Sequence, residues 1–97
     1  MIEILFSNKE IQSLMQEGRS KAYAGLIRNR KFLKSLKAFL FLLRFLQTTK
    51  DLLLYKQYHY EKRGKMSCVF ISGSNLQTKL LFRENEHGTG IIINDLI

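Results

Sequence analysis

Lys31-Phe32-Leu33-Lys34-Ser35-Leu36-Lys37-Ala38-Phe39-Leu40-Phe41-Leu42-Leu43-Arg44-Phe45-Leu46 carries the strongest periodic signal in the chain. Phe32, Leu33, Leu36, Phe39, Leu40, Leu43 and Leu46 recur at spacings of three, four and one, the period of an amphipathic helix. Lys31, Lys34, Lys37 and Arg44 fall among them and project from the flanks. Phe41, Leu42 and Phe45 widen the apolar surface, so this helix is expected to pack on two sides.

Upstream of it, Met1 to Phe6 reads as a short opening strand. Ser7 and Glu10 match a capping box, so a helix should begin near Asn8. Ile11, Leu14 and Met15, then Leu26 and Ile27, extend one apolar face that is interrupted around Gly18 to Ser20. Downstream, Thr48, Thr49 and Asp51 mark a connector, after which aromatic and β-branched residues become frequent. Strands are expected near Leu54–Glu61, Met66–Ser72, Thr78–Arg83 and Gly90–Asp95. The connectors between them, Arg63–Lys65, Gly73–Asn75 and Asn85–Gly88, are short and favour antiparallel pairing. The fold class expected is α+β, with helices on one face of a small twisted antiparallel sheet, in a single domain spanning 1–97.

Composition narrows the classes of function. Apolar residues at 45% and charged residues at 25% match a folded globular chain and argue against intrinsic disorder. Sixteen Lys and Arg against eight acidic residues give a formal charge of +8, which makes a polyanion the natural partner. Charge alone does not choose between nucleic acid, an anionic membrane and an acidic protein. Cys68 is the only cysteine, so the chain cannot form an internal disulfide, and a reducing, cytoplasmic setting fits it. Met1-Ile2-Glu3 does not open like a secretory signal, and the longest apolar run, Ala38 to Leu43, is far below the roughly 18 residues of a bilayer span. No metal-ligand spacing, glycine-rich phosphate loop or nucleophile elbow occurs, so neither metal nor cofactor is expected.

Lys56, Lys62, Arg63 and Lys65 lie close together in sequence, with Tyr55, Tyr58, His59 and Tyr60 interleaved. Basic groups attract phosphate and rings offer stacking, which is the composition of an RNA surface. A lysine-decorated sheet edge that resists aggregation has the same composition. On a strand, Tyr58 and Tyr60 would share one face and His59 the other. His59 is a candidate for acid or base work, against the ordinary reading of a solvated histidine, and His87 sits in a turn sequence that suits solvent. Cys68, inside an apolar strand, reads as a packing residue.

Asn8-Lys9-Glu10, Gly18-Arg19-Ser20, Tyr60-Glu61-Lys62, Gly64, Ser67 and the closing run from Gly88 to Leu96 together resemble toxins of the RelE/ParE superfamily, most of all the HigB-like plasmid-maintenance branch. The resemblance spans nearly the whole chain and implies an opening helical hairpin packed on an antiparallel sheet that carries the functional groups. It also implies a bacterial cytoplasmic toxin, a cognate antitoxin partner, and metal-independent, ribosome-dependent cleavage of messenger RNA. Under it Lys79 stands where many relatives place a phosphate-binding arginine, and Asp95 lies in the closing motif. Lys79, His59 and Asp95 are then the catalytic candidates. Lys56, Lys62, Arg63, Lys65, Lys79 and Arg83 are the candidates for RNA phosphate, and Tyr58 and Tyr60 for base stacking. Val69 occupies a position where relatives commonly have an arginine, and the closing Asn94-Asp95-Leu96-Ile97 lacks the His and Tyr that often follow. Two further readings therefore stand beside the nuclease: a ParE-type toxin acting on gyrase, and an inactive homologue that binds only its antitoxin.

Overall fold

The computed structural model describes every residue from Met1 to Ile97. Helix starts follow from local chemistry. Asn8, in extended backbone, accepts the Ile11 N–H at 2.9 Å and opens α1 (Lys9–Glu17), which Gly18 closes from the left-handed region at φ 69°. A short α2 (Ala24–Ile27) follows. Asn29 then accepts the Phe32 N–H at 3.0 Å and opens α3 (Arg30–Leu43), the helix that the Lys31–Leu46 periodicity announces.

The strands are β1 (Glu3–Phe6), β2 (Glu61–Arg63), β3 (Met66–Gly73), β4 (Leu76–Glu84) and β5 (Gly90–Leu96), in the spatial order β1-β5-β4-β3-β2. The helices lie on one face of this sheet. Phe32, Leu36, Phe39 and Leu43 of α3, with Ile11 and Leu14 of α1, are buried together with Val69, Ile71, Leu80, Phe82, Ile91 and Ile93 of the strands. Burying each such side chain contributes about 1.5–3 kcal/mol. No helix is long and apolar enough to cross a membrane.

Three expectations need correction. The sheet is mixed, because β1 runs parallel to β5 while the other neighbours are antiparallel. The helical hairpin that the resemblance implies does not open the chain, since β1 precedes it as the reading of Met1 to Phe6 expects, and the short α2 stands between α1 and α3. No strand runs over Leu54–Glu61; 3-10 turns cover Thr49–Leu54 and Lys56–Tyr58, and β2 begins only at Glu61. Thr48 and Asp51 form a capping box that starts the first turn, and His59 at φ 47° breaks any extended run. The aromatic residues that suggested a strand are used instead as packing groups around the sheet edge.

Asn29 also ties the helical layer to the tip of the β3–β4 hairpin, accepting the Ser74 N–H at 3.1 Å and donating to the Ser74 carbonyl at 2.9 Å. Gly73 sits beneath this latch, where a Cβ would meet Phe32 Cβ at 2.7 Å and Asn29 Oδ1 at 2.8 Å. Gly73→Ala is therefore expected to cost about 1–3 kcal/mol by forcing the hairpin tip off α3, which urea denaturation will measure.

Candidate nucleic-acid interface

Alternation along the strands sends Ser67, Val69, Ile71, Thr78, Leu80 and Phe82 toward the helices and leaves the opposite face of the sheet uncovered by them. Directly opposed residues share a face, so Phe70 and Lys79 form one row across β3 and β4, Cys68 and Leu81 the next. Arg63 pairs with Met66 at the β2 end of a further row, and Arg83 pairs with Ile92 on the β5 side. Lys79 Nζ lies 5.6 Å from the centre of the Phe70 ring, and the His59 ring lies 5.7 Å from the same ring. Lys79, Arg83 and His59 are exposed, and none of them forms an ion pair. The only ion pair joins Arg63 to Glu61 at 2.7 Å on the exposed β2 strand, a contact worth little.

The segment that delivers His59 is an excursion from the end of α3 to β2, closed at its neck by one carboxylate. Glu84, at the end of β4, accepts hydrogen bonds from the Thr49, Tyr60 and Ser67 hydroxyls. Burial acts to raise the Glu84 pKa, but the three hydroxyl donors outweigh it and hold the carboxyl below its ordinary value. Burial, and then the bond to Glu84, pushes the Tyr60 phenol up to about 12. Gly88, at φ 69°, lets the β4–β5 connector press on Thr49, whose N–H donates to the Gly88 carbonyl at 2.9 Å. A polar cleft of about 290 Å³ beside this clasp is bordered by Lys50, Lys62, Glu86 and His87.

The proposed residues therefore divide. His59 and Lys79 meet at Phe70 on the open face, Arg83 and Arg63 lie on the same face in another row, and Lys65 lies in the turn between β2 and β3. Lys62 pairs with Ser67, which belongs to the helix-side face, and lies near Glu84. Lys56 sits in the second 3-10 turn. Tyr58 and Tyr60 turn to the helix side: Tyr58 packs edge-on against Phe39 with ring centres 5.0 Å apart, and Tyr60 stacks on Phe82 at 6.3 Å. The period-two division of these side chains from His59 is present, yet core contacts impose it and not a strand.

Asp95 lies in the Leu81 row, beyond a bulge that leaves Asn94 unpaired between Ile93 and Asp95. Its carboxylate accepts from the Tyr23 hydroxyl and the Leu96 N–H, and burial followed by the bond to Asp95 pushes Tyr23 up to about 12. Asp95 is thus tied to Tyr23 in the row next to Phe70 and Lys79. Phe70 escaped the sequence reading; the signal that could have found it is its place one position beyond the buried Val69, on the face opposite the core. Glu84 escaped as well, since the three hydroxyls that bind it are scattered over Thr49, Tyr60 and Ser67. No three His, Cys, Asp or Glu side chains come together as a metal site. Comparison with protein-family models, with curated proteins and with solved structures found no match to this chain.

Proposed function

We propose that this protein is the toxin of a type II toxin–antitoxin pair, of RelE/ParE-like fold and nearest the HigB branch, acting in the bacterial cytoplasm on ribosome-bound messenger RNA. The observation that carries this reading is the row in which His59 and Lys79 flank Phe70, free of any ion pair, on a sheet face that also bears Arg83 and Arg63. An unpaired ammonium beside a ring is suited to an RNA backbone, since phosphate binds the charge and bases stack on rings.

The cleavage that this arrangement supports is attack of a ribose 2′-oxygen on the adjacent phosphorus. It forms a 2′,3′-cyclic phosphate and breaks the bond to the 5′-oxygen. In this scheme His59 takes the 2′-hydroxyl proton, and the Lys79 ammonium offsets the charge that builds on the phosphate oxygens and gives a proton to the departing 5′-oxygen. Asp95, the remaining catalytic candidate, accepts from the Tyr23 hydroxyl and is assigned no proton-transfer step in this scheme.

The test is to incubate the protein with ribosomes and a defined message and to map RNA ends. New ends are expected with the native chain and are expected to disappear with Lys79→Ala and with Arg83→Ala. RNA affinity should fall with salt, and each substitution should flatten the log–log slope by roughly 0.7 for a lost single-strand phosphate contact. Intact message together with inhibited gyrase would replace the nuclease reading by the ParE-type one. A second reading, an inactive homologue that binds only its antitoxin, has one feature in its favour. The groove of about 480 Å³ between β1, α1 and α3 is lined by Ile4, Phe6, Met15, Leu40 and the exposed Phe41. Antitoxin binding with neither activity would select it.

A further inference from the structure

We infer that the hollow behind His59 is a nucleobase pocket that receives one unstacked base of the bound RNA, an inference that rests on the RNA reading of the open sheet face. The hollow, about 370 Å³, is lined by Leu52, Leu53, Tyr55, Lys56, His59 and Tyr60. Small-molecule sites run from about 300 to 1,000 Å³, so the space suits one flat ring system with its sugar and not a folded peptide.

The lining selects the ligand. Two phenol rings and two leucines favour a flat, weakly polar group, and Lys56 with His59 favours an anion attached to it. No carboxylate borders the hollow, which disfavours a cationic ligand. A nucleotide is the ligand class that joins a flat aromatic group to an anion. His59 belongs both to this hollow and to the row with Phe70 and Lys79. His59 thus joins the hollow to the row that carries Lys79, so a nucleotide whose phosphate is on that row has a hollow for its base on the other side of His59.

The walls are held before any ligand arrives. Tyr60 is stacked on Phe82, and its hydroxyl donates to Glu84. Thr49, at the other end of the excursion, donates to the same carboxylate. Between them Tyr55 donates its N–H to the Leu52 carbonyl at 3.0 Å, and Tyr58 donates its N–H to the Tyr55 carbonyl at 3.1 Å. Little ordering remains to oppose binding.

The experiment compares a short oligouridylate with a ribose-phosphate chain of equal length that lacks bases, against the native pocket, Tyr55→Leu and Leu53→Asp. Leu53 is 62% exposed, so Leu53→Asp tests the pocket even if Tyr55→Leu folds poorly. With Phe70→Leu present in every protein compared, which removes the stacking ring of the open face, the intact pocket should prefer the base-bearing chain by roughly tenfold, the worth of one stacked base, and both pocket variants should lose that preference. Adenosine alone should shift the amide resonances from Leu53 to Tyr60. Equal affinity for both chains with the pocket intact, or a preference that survives both pocket substitutions, overturns the pocket. If Lys79→Ala and Arg83→Ala leave RNA affinity unchanged while the base preference persists, the sheet-face reading fails and the pocket stands.

Discussion

Glu84→Ala is expected to lower stability by about 3 kcal/mol, because it removes a carboxylate that satisfies three hydroxyls at once. Thr49 and Ser67 are buried and Tyr60 is half-buried, so none of the three regains full hydration when the acceptor is lost. For a domain of this size the melting temperature should fall on the order of 15 °C, which calorimetry will read directly. Glu84→Gln keeps an acceptor oxygen and nearly the same volume, and should cost about half as much. A loss in Glu84→Ala no larger than that of an exposed-site substitution would show that the hydroxyls find other partners.

The same carboxylate sets a pH dependence whose sign follows from its depressed pKa. A carboxyl with a folded pKa below its ordinary value of 4.5 adds stability that is fully present above that value. That contribution disappears as pH falls through the lower folded value. The native protein should therefore lose stability more steeply than Glu84→Gln below about pH 4.5 and run parallel to it near neutrality. Parallel curves throughout would place the cause of acid unfolding elsewhere.

His59→Asn is expected to reduce messenger cleavage by about 10²–10⁴-fold, the usual worth of a positioned acid or base. Asparagine tolerates the left-handed backbone that position 59 adopts, so the fold and the excursion should survive. The expected pattern is a loss in the rate of the chemical step with RNA affinity nearly retained, since Lys79 and Arg83 still hold the phosphates. Single-turnover cleavage at saturating protein separates the two effects. Cleavage within a few-fold of the native rate would remove His59 from the proton transfer and leave it a binding group.

Legibility of the fold tracked the range of the interactions involved. The Lys31–Leu46 pattern announced α3 because burial repeats with the helical period, and the apolar, aromatic and β-branched content of Met66–Ser72 and Thr78–Arg83 between short connectors announced β3 and β4. The stretch from Leu54 to Glu61 misled because Tyr55, Tyr58 and Tyr60 carry strand propensity. Tyr58 packs on Phe39 and Tyr60 on Phe82, and these tertiary contacts outweigh an intrinsic preference worth at most about 1 kcal/mol.

The basic residues of the open face could be named from the chain, but their company could not. Lys56, Lys62 and Arg63 are close in sequence, yet Lys62 pairs with Ser67 on the helix-side face while Arg63 goes to the open one. Lys79 and His59 are twenty positions apart and meet across Phe70 only because the β3–β4 register and the 3-10 excursion bring them there.

By itself the sequence determined that this chain is basic and α+β with an amphipathic helix, since charge and hydrophobic period act locally or as sums over the chain. The parallel seating of β1 on β5, the Glu84 clasp and the meeting of His59, Phe70 and Lys79 were decided only by tertiary structure. Each depends on residues far apart in the chain, whose pairing energy exists only after the helices and strands have packed.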